Sequence, residues 1–139
     1  MSGERVFVDT GAWLALALRD DAHHEAATRT LTGLLAASTR LVTTNHVAGE
    51  TYTYLARVRD SCVALDFVRR MRLSTALDYV FVDEVMESKA YEWLERYRDQ
   101  RFSFVDATSF AAMTELGLKR TFTFDKHFAA AGFERLPGA

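Results

Sequence analysis

The chain has 139 residues, of which 49 % are hydrophobic and 26 % are charged, and its 17 basic and 19 acidic side chains give a net charge of −2. This composition is typical of a globular protein and excludes a disordered or collagen-like chain. The length predicts a single domain spanning 1–139. Apolar runs are much shorter than the roughly 20 residues of a membrane helix, and residues 1–5 do not have the pattern of a secretion signal. We therefore expect a cytoplasmic protein with no membrane partner.

A single cysteine, Cys62, excludes an internal disulfide. No group of Cys and His residues has the spacing of a zinc module, so a structural zinc site is also excluded. We expect Cys62 to be a small, buried, apolar residue of the core.

Short strand-like segments alternate with longer helical ones along the chain. Residues rich in β-branched and aromatic side chains predict strands at 5–8, 41–44, 79–82 and 120–124, with a weaker fifth at 133–136. Apolar residues at helical spacing predict helices at 11–19, 22–37, 46–59, 61–73, 84–98 and 105–117, and a short turn at 126–131. This alternation favours an α/β fold, a three-layer α/β/α sandwich with a mainly parallel central sheet.

Acidic residues follow two of the predicted strands. Asp9 comes directly after the strand at 5–8, and Asp125 follows the strand at 120–124. Ligands of an open parallel sheet bind at the carboxyl ends of its strands, so both carboxylates are expected at the same edge. The alternative is that each Asp only caps the helix that follows it.

Two further carboxylates lie in predicted helices. Glu50 lies three residues after Val47 and four before Tyr54, which places it at the border of the predicted buried face of its helix. Asp106 lies in the first turn of the helix at 105–117, on the inward stripe. At that position it either contributes to a site or interacts with the helix dipole.

Four acidic side chains that converge on one region repel one another unless a cation lies among them or their pKa values rise. Carboxylate oxygens suit magnesium or manganese. Such an ion promotes hydrolysis by lowering the pKa of a bound water and neutralising a phosphate. The predicted metal site contains Asp9, Glu50, Asp106 and Asp125, with Glu50 the candidate for a second-metal ligand or a general base.

Asp83 also follows a predicted strand, but we interpret it as a helix cap. The first turn of the helix that it opens carries Glu84 and Glu87, the usual arrangement of acids around a positive helix N-terminus. Asp83 is therefore left outside the predicted site.

Segments 7–14, 43–50, 102–107 and 122–128, the last followed by Gly132 and Phe133, carry the four acids. In this order they resemble PIN domains, specifically the short bacterial ribonuclease toxins of VapBC-type toxin–antitoxin pairs, and the likeness covers nearly the whole chain. The resemblance implies an endoribonuclease toxin that uses Mg²⁺ or Mn²⁺ to cleave RNA. It implies a cognate antitoxin that obstructs the acidic site, and a homodimer. The implied metal-binding and catalytic residues are Asp9, Glu50, Asp106 and Asp125.

Several polar residues adjoin these acids in the sequence. Thr10 and Thr123 are candidates to hydrogen-bond to the carboxylates, or to the local backbone. Asn45 is a candidate to orient Glu50 or the substrate, but we favour a role in capping the next helix. His127 follows Asp125 by two residues and is a candidate to contact the substrate, but we favour a surface histidine.

Other magnesium-dependent α/β proteins fit the sequence less well. A signalling receiver domain requires paired acids after the first strand, whereas Asp9 stands alone, and Lys126 follows another Asp. A phosphatase of the haloacid dehalogenase type requires a second Asp at the position of Gly11. The alternative that stays open is a PIN-like domain that processes RNA, or binds RNA or protein, without a toxin role.

Basic residues are concentrated between positions 57 and 72. Without the four site acids the chain carries 17 basic against 15 acidic residues, and this stretch has five Arg against two Asp. Such a patch could bind RNA phosphates. We prefer a solvated helix surface, because helical spacing scatters the five arginines around the axis.

Overall fold

The computed structural model describes residues 3–138, and its elements follow the predicted order. The strands are β1 (Arg5–Val8), β2 (Arg40–Thr44), β3 (Leu77–Val80), β4 (Arg120–Phe122) and β5 (Glu134–Leu136). The helices are α1 (Thr10–Ala17), α2 (His24–Ala36), α3 (Asn45–Val58), α4 (Ser61–Leu73), α5 (Glu84–Arg96), α6 (Phe104–Leu116) and α7 (His127–Ala130). Every predicted element is present, with boundaries shifted by two residues at most.

The strands form one sheet in the order β3-β2-β1-β4-β5, and every neighbouring pair is parallel. The predicted parallel sheet is therefore confirmed. The chain moves outward from β1 to β3 and then returns to place β4 on the other side of β1. The point between β1 and β4 is where the order reverses, and ligands of such sheets bind there.

The helices form a layer on each face of this sheet. Crossovers between parallel strands are right-handed as a rule. Because the chain changes direction after β3, this rule puts α1 to α4 on one face and α5 to α7 on the other. The helix contacts agree: α1 packs on α2 and α3, α3 packs on α4, and α6 packs on α5 and α7. The contact between α3 and α6 joins the two layers.

The core is built from β1 and the aromatic residues of α6 and α7. Val6, Phe7 and Val8 are fully buried, as expected for a central parallel strand covered on both faces. Phe110 of α6 packs edge-to-face against Phe128 of α7, with the ring centroids 4.9 Å apart. This packing holds the beginning of α7 close to α6.

Three details of burial and capping differ from the sequence predictions. Cys62 is exposed, because α4 buries a different stripe that contains Ala64 and Met71. Tyr54 is also exposed, since α3 packs through Val47, Ala48, Thr51 and Leu55. Asn45 does not cap α3: the hydroxyl of Thr44 accepts the capping bond from Val47 N, and Asn45 Oδ1 accepts one from Val82 N.

The interpretation of Asp83 as a cap is confirmed, since its carboxylate accepts a hydrogen bond from Met86 N at the start of α5. Within residues 3–138, no helix is long and apolar enough to cross a membrane.

Candidate active site

A cleft lined by acidic side chains opens beside the junction of β1 and β4. Its volume is about 330 Å³, and all four predicted acids line it. Each comes from a different part of the fold: Asp9 follows β1, Glu50 lies in α3, Asp106 lies in α6 and Asp125 follows β4. We call this cleft the acidic cleft, and its lining residues are Asp9, Thr10, Gly11, Glu50, Arg101, Ser103, Asp106, Asp125 and His127.

Asp9 is the most deeply placed of these acids, with only 6 % of its surface exposed. Its Oδ1 accepts a hydrogen bond from Thr10 N, and its Oδ2 accepts one from Thr123 Oγ1, both at 2.7 Å. The pKa of Asp9 is raised to about 7, mainly by burial, with smaller contributions from the charges of Asp106 and Asp125, while the two hydrogen bonds lower it. A buried carboxylate with like charges around it is a poor structural element but a good cation ligand.

Thr123 connects two of the acids. Its hydroxyl donates to Asp9 and accepts a hydrogen bond from the backbone N–H of Asp125 at 3.0 Å. Thr123 is almost fully buried, so the hydroxyl is held in one orientation. The sequence prediction that Thr123 hydrogen-bonds to a site acid agrees with this geometry.

Asp106 both caps α6 and faces the acidic cleft. Its carboxylate accepts from Ser103 N at 3.0 Å while Ser103 Oγ accepts from Asp106 N at 2.9 Å, which forms a reciprocal capping box. Burial is the main reason that the pKa of Asp106 is raised, and the charge of Asp125 adds to it. The two roles considered for this residue are therefore compatible.

Glu50 lies on the outer wall of the acidic cleft. It is exposed, so its predicted position at the border of the buried face of α3 is wrong. The sequence predicts a buried Tyr54 on the same side of the helix, but Tyr54 is 41 % exposed. Glu50 reaches the acidic cleft because the exposed stripe of α3 faces it, beside Thr10.

His127 is a site residue that the sequence analysis placed at the surface. Its Nδ1 lies 3.4 Å from Asp106 Oδ2 and 3.4 Å from Asp125 Oδ1. These three side chains offer ligand atoms that all lie within 4.8 Å of one another, the spacing of a metal-binding group. The turn at Asp125, whose Oδ1 accepts from His127 N at 2.9 Å, directs the histidine back into the acidic cleft.

Arg101 also lines the acidic cleft and was not singled out from the sequence. Its backbone has a φ of +58°, a left-handed conformation that is uncommon for a residue other than glycine. Its side chain is exposed and forms no ion pair with any carboxylate in residues 3–138. An unpaired guanidinium beside clustered acids is suited to bind an anionic substrate.

The donor atoms of the acidic cleft fit a hard divalent cation. Carboxylate oxygens dominate, and each oxygen of Asp9 accepts one hydrogen bond and keeps a further lone pair for an ion. The hydroxyl of Thr10 is buried beside them without a hydrogen-bond partner in residues 3–138. A buried unpaired hydroxyl at a cluster of acids indicates a ligand or ordered water there. Asn45, by contrast, is engaged by Val82 and does not line the acidic cleft.

The raised pKa of Asp9 makes the stability of the metal-free protein depend on pH. The unfolded chain releases this proton near 3.8 and the folded protein near 7, so the stabilisation is complete below the lower value and is lost as the pH rises through the upper one. We expect the free energy of unfolding with EDTA to fall from pH 5 to pH 8, by up to about 3 kcal/mol from this group.

Urea unfolding of the wild type and of Asp9→Asn at both pH values isolates the contribution of Asp9. Manganese should restore stability to the wild type at pH 8 and have little effect at pH 5. A wild type whose stability changes with pH no more than that of Asp9→Asn would show that Asp9 does not titrate in this range.

Residues 6–134 match the PIN domain family. The 23S rRNA-specific endonuclease VapC20 of Mycobacterium tuberculosis, from strains CDC 1551 and H37Rv, is 43 % identical over 129 residues, which cover 92 % of this chain and 95 % of the relative. The crystal structure of M. tuberculosis VapC20, named a sarcin–ricin loop cleaving toxin, matches with a TM-score of 0.83 at 41 % identity, covering 92 % of this chain and 95 % of that chain.

Two more distant structures share the fold alone. VapBC2 from Rickettsia felis, bound to a promoter DNA fragment, has a TM-score of 0.67 and 10 % identity, covering 91 % of this chain and 92 % of that one. FitAcB from Neisseria gonorrhoeae has a TM-score of 0.66 and 14 % identity, covering 94 % and 95 %. The sequence match over residues 6–134, the close VapC20 relative and the parallel sheet agree with the resemblance noted in the sequence, and the chain belongs to the PIN domain family.

Proposed function

We propose that the chain is an endoribonuclease whose acidic cleft holds Mg²⁺ or Mn²⁺ through Asp9, Glu50, Asp106 and Asp125. One observation carries this proposal: four carboxylates from separate elements line one small cleft, and the most buried of them, Asp9, has a pKa raised to about 7. Such an arrangement is costly for a protein unless a cation compensates the charge. The nearby His127 nitrogen is a further candidate ligand, beside Asp106 and Asp125.

The side chains of the acidic cleft have different roles in the proposed phosphodiester hydrolysis. A bound divalent ion would neutralise the scissile phosphate and acidify a water. Thr123 and Ser103 fix the carboxylates of Asp9 and Asp106 through hydrogen bonds, so that little reorganisation is needed. Glu50, exposed on the outer wall, would either hold a second ion or accept the proton of the attacking water. Arg101 binds the non-bridging oxygens of the phosphate.

The RNA substrate is proposed from the relatives. VapC20 is a 23S rRNA-specific endonuclease and its structure is named a sarcin–ricin loop cleaving toxin. The identity of 43 %, over nearly the full length of both chains, supports the same substrate for this chain. It also supports a toxin role, a cognate antitoxin and a cytoplasmic location. We also propose that the chain forms a homodimer. The relationship to VapC20 favours the toxin over a PIN-like domain without that role.

The substrate proposal is tested with purified, antitoxin-free protein on intact ribosomes, naked 23S rRNA and an unrelated structured RNA of similar length. We expect metal-dependent cleavage of 23S rRNA at one site within the sarcin–ricin loop, mapped by primer extension. Equal cleavage of the unrelated RNA would contradict the proposed specificity but not the nuclease activity.

The hydroxyl of Thr123 is expected to maintain metal affinity. Thr123→Val removes the hydrogen bonds to Asp9 and Asp125, and we expect Mn²⁺ affinity to fall by roughly 10- to 100-fold, as is common when a group that orients a ligand is lost. Thr123→Ser keeps the hydroxyl and should bind Mn²⁺ within a few-fold of the wild type. Calorimetric titration measures both, and equal losses in the two variants would exclude the hydroxyl as the cause.

A further inference from the structure

A second groove lies directly beside the acidic cleft, between α3 and the start of α6. Its volume is about 470 Å³, and it shares Thr10 and Glu50 with the acidic cleft. We call it the α3 groove, and its remaining lining residues are His46, Gly49, Thr53, Tyr54, Arg57 and Val105. The α3 members repeat at intervals of three and four residues, so they form one stripe along the helix. A ligand strand bound along this stripe would therefore reach the carboxylates of the acidic cleft.

Arg57 gives the far end of the α3 groove a positive charge. It is exposed, and no carboxylate of the described chain forms an ion pair with it. Two other arginines of the basic stretch are paired, Arg59 with Asp20 and Arg70 with Asp66. Arg57 is therefore available to bind an anion.

Aromatic rings line the α3 groove beside this charge. Tyr54 is 41 % exposed, and the Arg57 guanidinium carbon lies 5.6 Å from the centroid of its ring. The His46 ring lies at the other end, packed 5.8 Å from the ring of Phe104. Exposed rings next to an unpaired arginine are the usual means by which proteins bind single-stranded RNA, since bases stack on the rings and phosphates bind the cation.

Gly49 keeps the floor of the α3 groove open. Glycine destabilises the interior of a helix relative to alanine, and here neither packing nor backbone conformation requires it. Its φ is not positive, and a Cβ built at this position has no atom within 4 Å. The missing side chain thus leaves space on the exposed stripe between His46 and Thr53, where a ligand can approach the helix backbone.

We infer that the α3 groove binds the unpaired nucleotides of the RNA substrate next to the scissile phosphate, with Arg57 on a phosphate and Tyr54 or His46 stacked on a base. This inference rests on the proposed ribonuclease function. Glu50 and Arg57 are separated by two turns of α3, about 10 Å along the axis, so the contact lies close to the cleavage site. Arg57 and the rings act as positioning residues, outside the chemistry.

Two variants test the groove, each with a matched control. Gly49→Leu fills the floor, whereas Gly49→Ala adds a side chain too small to close it and removes the helix penalty. Arg57→Gln removes the charge at the groove, and Arg69→Gln removes the same charge from the exposed surface of α4. Thermal unfolding of all four confirms that each is folded before RNA is added.

Binding is measured by fluorescence anisotropy of a labelled 23S rRNA fragment that contains the sarcin–ricin loop, in the Asp9→Asn background and over a range of salt. We expect Arg57→Gln to weaken affinity about 5- to 10-fold and to lower the slope of log affinity against log salt by about 1. Gly49→Leu should weaken affinity about 10-fold with the slope retained, while both controls stay within about 2-fold of the parent. With Asp9 intact, the two groove variants should raise KM and leave kcat nearly unchanged.

The outcomes separate this inference from the proposed function. If the wild type cleaves RNA but Arg57→Gln and Gly49→Leu bind it with unchanged affinity, RNA binding in the α3 groove is overturned and the proposed nuclease function stands. If the wild type does not cleave RNA and only those two variants bind it more weakly, RNA binding in the α3 groove is supported and the proposed nuclease function is overturned. If the same variants instead lose only antitoxin affinity, the groove serves a protein partner and the inference is wrong.

Discussion

Asp9→Asn is expected to abolish RNA cleavage and to stabilise the metal-free protein at the same time. The substitution removes the negative charge that binds the cation, so we expect the rate to fall by at least 10²- to 10³-fold, a typical loss for one group that stabilises a transition state. It also removes the cost of ionising a buried carboxyl whose pKa is raised to about 7. We expect the free energy of unfolding in EDTA at pH 8 to rise, by up to about 4 kcal/mol.

The local hydrogen bonds can survive this substitution. The amide oxygen of Asn accepts from Thr10 N as Asp9 does now, and the amide N–H₂ can donate to the Thr123 hydroxyl, which retains a second lone pair after accepting from Asp125 N. A variant that is inactive because it is misfolded would lose stability, whereas the expected variant gains it. Steady-state cleavage and urea unfolding on one preparation therefore decide the cause.

Asp83→Asn is the matched control, because Asp83 also follows a strand and caps a helix but does not line the acidic cleft. We expect it to cleave RNA at the wild-type rate and to bind manganese normally. If Asp83→Asn lost as much activity as Asp9→Asn, the assignment of Asp83 as a helix cap outside the site would be contradicted.

The second large effect is expected at Asp106, whose two roles can be separated. Asp106→Asn keeps an oxygen that accepts from Ser103 N, so the capping box stays intact while the charge is lost. Asp106→Ala loses both. We expect both variants to lose cleavage by about 10²- to 10³-fold and to bind manganese weakly. Only Asp106→Ala should lose the capping contribution, about 1 kcal/mol relative to Asp106→Asn.

Thermal unfolding in EDTA and manganese titration measure these two roles independently. Full activity in Asp106→Asn would remove Asp106 from the metal site and leave it as a cap. Equal stability of the Asn and Ala variants would show instead that the capping box contributes little.

The positions of Asp9 and Asp125 could be predicted because they depend on local rules. Each follows a strand that reads as β structure from its own residues, and parallel strands bring their carboxyl ends to one edge. The pairing of β1 with β4 brings the two acids together, although more than a hundred residues separate them in the chain. The correctly predicted alternation of strands and helices was therefore sufficient to place Asp9 and Asp125 at the same edge of the sheet.

The position of Glu50 shows where helix periodicity fails. Glu50 lines the acidic cleft as expected. The predicted border of the buried face was wrong, because α3 packs through Thr51 and Leu55 and leaves Tyr54 and Glu50 exposed. An amphipathic helix with exposed aromatic residues has no unique buried face in its sequence. Tertiary packing against α4 and α6 decides which stripe is covered.

His127 and Arg101 could not be identified from spacing. His127 enters the acidic cleft through the turn that Asp125 stabilises, and Arg101 through a left-handed backbone conformation in the connection before α6. Neither turn geometry has a specific sequence pattern here, so a histidine and an arginine next to loops appeared to be ordinary surface residues.

The most direct test of the acidic cleft as a metal-dependent nuclease site is cleavage of total RNA by purified, antitoxin-free protein. The reaction is run with magnesium or manganese, with EDTA, and with Asp9→Asn in the presence of metal. We expect discrete products with the wild type and metal, and none in the other two reactions. Cleavage that persists in EDTA or in Asp9→Asn, or its absence from folded wild type that binds manganese, would contradict the assignment.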